Sequence, residues 1–275
     1  MTAQAAAAPG GVPPIVLDLE AAQRRHRANF RTRFILTWFV ILGAVGFFLS
    51  QTPAVKIDPG FIAEWLPFII GGVWITLFIS IASITFAVIL AIFGALGRLS
   101  SNPYFNGAAS LYVSIVRGTP LIVQILFIFL ALPATGIVID PLPTGIIALA
   151  FNYGAYLTEV FRAGIQAVPG GQVEAARALG LPESVVMRRV ILPQAIRIVT
   201  PAVGNDFIAM TKDSSLVYVV GVQELLWRAQ AAGRPSGQSF TTLIIAAIMY
   251  WCLTLILSYF QARLENRMAA GDRNR

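Results

Sequence analysis

Long uncharged runs alternate along this chain with short polar breaks. Two of the runs, Leu66–Gly97 and Thr119–Ile139, are each longer than the roughly 20 residues that carry an α-helix across a bilayer. The apolar pattern predicts spans at Phe34–Ser50, within Leu66–Gly97 behind a short interfacial piece near Phe61–Ile70, and at Tyr104–Leu132, Leu142–Ile165, Ala195–Val220 and Phe240–Arg263. The expected fold is all-α: a polytopic helical membrane protein with about six transmembrane helices. The strands of an outer-membrane barrel alternate apolar and polar residues over about 10 positions, and these runs do not alternate.

Composition sharpens that picture. Of 275 residues 57% are hydrophobic and 12% charged, and the mean hydropathy is +0.74. A soluble domain carries about 25% charged residues, so an ordinary soluble enzyme is excluded. The single histidine, His26, and the single cysteine, Cys252, exclude a disulfide framework, a cysteine or multi-histidine metal site and a histidine-dependent triad within this chain. Cys252 is expected to be a small buried hydrophobe.

The net charge of +7 reads as membrane topology rather than nucleic-acid binding. Arg24, Arg25, Arg27, Arg31 and Arg33 directly precede the first apolar run. With six spans and both termini cytoplasmic, sixteen of the 20 Lys and Arg residues fall inside, and only Lys56, Arg228 and Arg234 outside. This is the asymmetry that the positive-inside rule demands. Residues 1–33 read as a disordered basic cytoplasmic tail, 34–50 as an N-terminal transmembrane helix, 60–265 as the transmembrane domain and 266–275 as a C-terminal tail.

The segment from Glu174 to Pro193 is too polar to span. It follows a turn at Pro169-Gly170-Gly171. Glu174 is placed in the first turn of a helix, where a carboxylate complements the positive helix end. Ala175, Ala176 and Ala178 favour helix, Gly180 ends it, and a second short helix starts near Pro182-Glu183. On residues alone, this is either an interfacial helix on lipid or a small-residue surface, Ala175/Ala176/Leu179, for a docking protein.

The order Glu174-Ala175-Ala176, then Gly180, Val190 and Leu192-Pro193 resembles the EAA loop of ABC-importer permeases, with Val190 where isoleucine is usual. Three further stretches resemble the polar amino-acid branch of that family. They are Arg117-Gly118-Thr119-Pro120-Leu121 with Gln124, Asn152–Gln166, and Lys212-Asp213-Ser214-Ser215-Leu216. The resemblance covers about residues 60–265, places the EAA loop at 166–193, and makes Phe34–Ser50 an addition to a five-helix core.

The resemblance implies a permease of the bacterial cytoplasmic (inner) membrane, with no catalytic residues of its own. Its implied partners are a second permease, identical or homologous, two ATP-binding subunits that hold ATP and Mg, an extracytoplasmic amino-acid-binding protein and membrane lipid. Glu174, Ala175, Ala176, Leu179 and Gly180 then couple to the ATPase. The chain lacks G-x-x-x-x-G-K-[ST], the loop that cradles ATP phosphates, and it is expected to bind no cofactor and no metal.

Ionisable groups inside spans are costly and mark function by default. Asn152, Tyr156, Glu159, Asn205, Asp206 and Ser214 are candidates for the substrate path, Asp206 as acceptor for an ammonium group. Arg117, Lys212 and Asp213 are candidates for structure or gating, and Glu159 and Arg162 for a mutual pair. Pro193 and Pro201 are expected to start or kink the fifth span. The competing reading, an ion-coupled secondary transporter using Asp206 or Glu159, lacks internal repeats and leaves the EAA-like loop unexplained.

Overall fold

The computed structural model describes residues 30, 32–44, 46–48, 51 and 58–273, with side chains through 268. The chain divides into two units, Met1–Ile57 and Asp58–Arg275. In the first unit an apolar helix, α1, covers Thr32–Phe48, somewhat short of a full span. The expected tail over 1–33 lies outside the described residues, apart from positions 30, 32 and 33.

The second unit is a helical bundle. Its helices are α2 (Pro59–Ile70), α3 (Gly72–Leu99), α4 (Pro103–Gly118), α5 (Leu121–Leu126), α6 (Pro141–Gln166), α7 (Gly170–Ala178), α8 (Glu183–Val186), α9 (Leu192–Asp213), α10 (Leu225–Gly233) and α11 (Ser239–Arg273). Tighter or wider turns extend three of them. A π turn and a 3₁₀ turn carry α5 to Thr135, a π turn over Met187–Ile191 joins α8 to α9, and a 3₁₀ segment continues α9 to Val220. No strand occurs among the described residues.

Helix starts follow local chemistry. Asp58 accepts hydrogen bonds from the N–H groups of Gly60 and Phe61 ahead of α2, and Asn102 accepts from Tyr104 ahead of α4. Each is followed by a proline in the first turn, which suits the missing N–H of that position. A short α2 precedes the long α3, the division expected ahead of this span.

By length and apolarity, Pro59–Leu99 and Ser239–Met268 qualify as spans among the described residues. Pro103–Gly118 and Leu121–Thr135 form a third only if the pair, bent by 105°, is counted as one. The other expected spans lie on α1, α6 and α9, which are shorter or more polar. In α6 and α9 the tally is lowered by Asn152, Glu159 and Arg162, and by Arg197, Asn205, Asp206, Lys212 and Asp213. The single span expected over Tyr104–Leu132 is broken at Gly118-Thr119-Pro120. Proline lacks an N–H and restricts the residue before it, so α4 cannot run on.

The most extensive pairing joins α3 and α6. One face of α3 carries Ser80, Ser83, Ala87, Ala91 and Gly94, all buried, at the three- and four-residue spacing of a helical stripe. A Cβ at Gly94 would stand 2.2 Å from Thr158 Oγ1 of α6. Small residues here allow the backbones the close approach typical of membrane helices. Beside this seam Ile79, Leu149, Tyr153, Leu157, Met210 and Val217 form the main core. A second core joins Ile69, Leu225, Ala229 and Ala246.

One expectation is reversed. Cys252 is exposed on α11, next to Trp251, which is also exposed. In a membrane an apolar stretch can turn outward at no cost, so apolar surroundings in the sequence do not mean burial.

Candidate functional site

Three elements surround a cavity of about 540 Å³. The elbow after α4 supplies Arg117, Gly118, Thr119, Pro120 and Leu121; α6 supplies Asn152, Tyr153 and Tyr156; α9 supplies Asp206, Ala209 and Asp213. The α9 residues are spaced three and four apart, which places them on one helical face.

The elbow is held by Gln124. Its Nε2 donates to the carbonyl of Val116 at 2.8 Å, the carbonyl of Thr119 at 3.1 Å and Thr119 Oγ1 at 2.9 Å. These acceptors lie where the helix is interrupted, and in an apolar medium they need a donor. Asn152, nearly fully buried, donates in turn to Gln124 Oε1. The elbow holds Arg117 with its guanidinium 5.0 Å from the centre of the Tyr156 ring, within cation–π range.

On the far wall the Tyr153 hydroxyl donates to Asp213 at 2.7 Å. Asp206 is partly buried and makes no ion pair among the described residues; neither does Arg117. The cavity thus presents one guanidinium and two carboxylates, one of which holds a phenol. Such a lining can take up a small molecule carrying both signs of charge.

The other candidates lie elsewhere. Glu159 is bound by Arg98 and Arg162 at the end of the bundle from which α7 departs; the Arg162 pairing was anticipated and Arg98 was not. Asn205 faces α11, where Gln261 donates to its Oδ1 at 3.1 Å. Ser214 is buried and donates to the carbonyl of Thr211. Lys212 is exposed and outside the cavity lining. The sequence reading gave no role to Gln124, Ala209 or Leu121. Ala209 could have been found from its three-residue spacing to Asp206.

The polar segment folds as a helix, a break and a short helix. Helix α7 begins at Gly170, so Glu174 lies in its second turn rather than the first. Gly180 has φ +71°, a left-handed conformation suited to glycine. Glu174, Ala175 and Leu179 face outward, Leu179 with 80% exposure, while Ala176 turns inward at 6%. Gln194 of α9 donates to Gln172 at 2.7 Å and steadies α7 from behind. Arg177 bridges to Glu183 across the break at 2.6 Å. Both side chains are exposed, and the guanidinium holds the Glu183 carboxyl below its ordinary value.

Residues 83–270 match the family described as binding-protein-dependent transport system inner membrane component. The chain is 39% identical over 229 residues to the L-cystine transport system permease protein TcyB of Bacillus subtilis (strain 168), covering 80% of this chain and 97% of that one. It is 38% identical over 208 residues to the arginine transport system permease protein ArtQ of the same organism, covering 75% and 95%. The fold is similar to that in a crystal structure of an amino acid ABC transporter with histidines, with TM-score 0.74, 39% identity and coverage of 77% of this chain and 99% of that one. The inward-facing MetNI methionine ABC transporter shares the fold at TM-score 0.65 and 19% identity, covering 77% and 99%. A helical bundle of this shape, matched over most of its length, belongs to the family of binding-protein-dependent transport system inner membrane components, and the chain is a permease subunit.

Proposed function

We propose that this permease forms the path of a polar amino acid in an ATP-driven importer. The observation that carries the reading is the cavity between the elbow, α6 and α9, with Arg117 on one wall and Asp206 on another. A zwitterionic amino acid needs a donor for its carboxylate and an acceptor for its ammonium, and charge-assisted hydrogen bonds of this kind are strong. Asn152 and Tyr156 complete the lining. Relatives named for L-cystine and arginine support a polar amino acid. Family membership supports the ATP-driven reading and gives none to the ion-coupled one.

In this reading two ATP-binding subunits, carrying ATP and Mg, dock on the outward face of α7 at Glu174 and Ala175 and on the break that follows it at Leu179 and Gly180. A second permease completes the path, and a binding protein delivers the amino acid from outside. Both termini are cytoplasmic. Affinity purification from native membranes, with identification of co-purifying subunits and an ATPase assay, tests this. A co-purifying ATPase stimulated by a loaded binding protein is expected. Recovery of the chain without an ATPase under mild detergent overturns it.

A further inference from the structure

The cluster around Glu159 has no role in the path just described. It lies at the end of the bundle next to α7. Glu159 Oε1 accepts from Arg98 Nε at 2.9 Å, and Oε2 accepts from Arg162 Nε at 2.9 Å and from its NH2 at 2.7 Å. A second guanidinium nitrogen of Arg98 donates to Ser110 of α4. Ser110 donates to Asn106 at 3.1 Å, and Asn106 donates to the Arg98 carbonyl at 2.8 Å. Arg162 donates to Gln166 at 2.6 Å. One carboxylate thereby ties the end of α3, the first half of α4 and the last third of α6.

The same helix face leads to the cavity. Asn152, Tyr156 and Glu159 stand at i, i+4 and i+7 on α6, which is one stripe. Helix α4 is held to α6 by this network, by Arg117 over Tyr156 and by the Tyr112 hydroxyl, which donates to the Phe151 carbonyl at 2.7 Å. Helix α3 meets α6 along the small-residue seam that ends at Arg98. Only Ala167, Val168 and Pro169 separate α6 from α7.

We propose that Glu159 is the positioning residue that makes α3, α4 and α6 move as one body, so that displacement of α7 reaches the cavity wall at Asn152 and Tyr156. The proposal rests on the importer reading, in which α7 is the docking element. The charge is essential to it. A carboxylate uses both oxygens as acceptors and neutralises two guanidiniums at close range. A glutamine has one acceptor, and leaves Arg98 and Arg162 to repel each other.

The test is the number of ATP molecules hydrolysed per amino acid taken up, measured on the full complex in proteoliposomes. Glu159→Gln is expected to raise that ratio about tenfold, in the range of ordinary coupling energies, with stimulated hydrolysis and substrate KM unchanged within about twofold. Uptake and hydrolysis falling in proportion, or an unchanged ratio, overturns the proposal. Arg98→Gln is expected to raise the ratio likewise, and the double variant to be no worse than the worse single one, since the two act as a unit. Effects that multiply overturn it. If Glu159→Gln does not assemble, Arg98→Lys keeps the charge but lacks the fork that holds Glu159 and Ser110 together. It is expected to raise the ratio by a smaller factor, and no change there overturns the proposal. An unaltered complex without binding-protein-stimulated hydrolysis overturns the importer reading itself, and so the two failures are told apart.

Discussion

Asn152 donates to Gln124 across 28 positions of sequence, at 3.2 Å, and this bond fixes the broken helix to the unbroken one beside it. Gln124 in turn satisfies the carbonyls released at Val116 and Thr119. The cavity wall is therefore built by a side chain that does not line the cavity.

Replacing Gln124 by Glu removes the donor and sets a carboxylate against two carbonyls. An unsatisfied buried group costs about 1–3 kcal/mol. The expected outcome is a lower Tm for the purified permease complex. A Tm equal to that of the unaltered protein means that the elbow does not depend on this side chain.

Arg117 and Asp206 are expected to separate in their effects. Arg117→Gln weakens every zwitterionic substrate, raising KM about 30-fold for the loss of roughly 2 kcal/mol in a charged hydrogen bond. Asp206→Asn removes the acceptor for the ammonium group, so it reduces uptake of every amino acid, and of a cationic one, with its second positive charge, more than of a neutral one. Uptake assays with lysine and glutamine as paired substrates check both, and uptake unchanged in Asp206→Asn makes that residue structural.

The outward face of α7 is expected to be the ATPase contact. Glu174→Lys reverses a charge there, and Leu179→Asp places a charge on the most exposed apolar side chain of the segment. Each should abolish stimulated hydrolysis while leaving the protein in the membrane. Ala176→Ser, on the inward face, should leave stimulation intact. Normal stimulation in Glu174→Lys removes the docking assignment.

The Arg177–Glu183 bridge gives the break after α7 a pH dependence. The guanidinium's hydrogen bonds lower the Glu183 pKa in the folded chain. A carboxyl depressed on folding contributes order above its unfolded pKa and loses it as the pH falls through the folded value. Amide exchange over residues 177–183, corrected for its intrinsic pH dependence, should rise only below the usual glutamate range. It should rise at neutral pH in Glu183→Gln and in high salt, which screens exposed pairs. Exchange that is indifferent to all three conditions disproves it.

The legible features of this chain are those that depend on local order. Runs without charge mark α3 and α11, and Gly180 and Pro182 mark the break after α7, whereas the elbow at Gly118-Thr119-Pro120 lies within a stretch that reads as one span. Contacts between helices were not legible. Arg98 and Glu159 are 61 positions apart, and Tyr153 and Asp213 are 60 apart, so their pairing depends on register and rotation that no local pattern states. Asn205 and Asp206 show the sensitivity. One step along a helix is about 100°, and it separates a side chain bonded to α11 from one in the cavity.

The 105° elbow also bears on how the chain enters the bilayer during synthesis. Leu121–Thr135 extends only about 22 Å at 1.5 Å per residue, less than the roughly 30 Å hydrocarbon core, and Gln124, which satisfies its broken end, is itself held by Asn152 of a helix not yet made. The translocon is therefore expected to retain this half-helix until α6 emerges. Nascent chains truncated before Pro141 should remain extractable by alkali or accessible to glycosylation at this segment, and chains extending past Gln166 should not. Insertion that is complete in the shorter chains would show that the elbow forms without its neighbour.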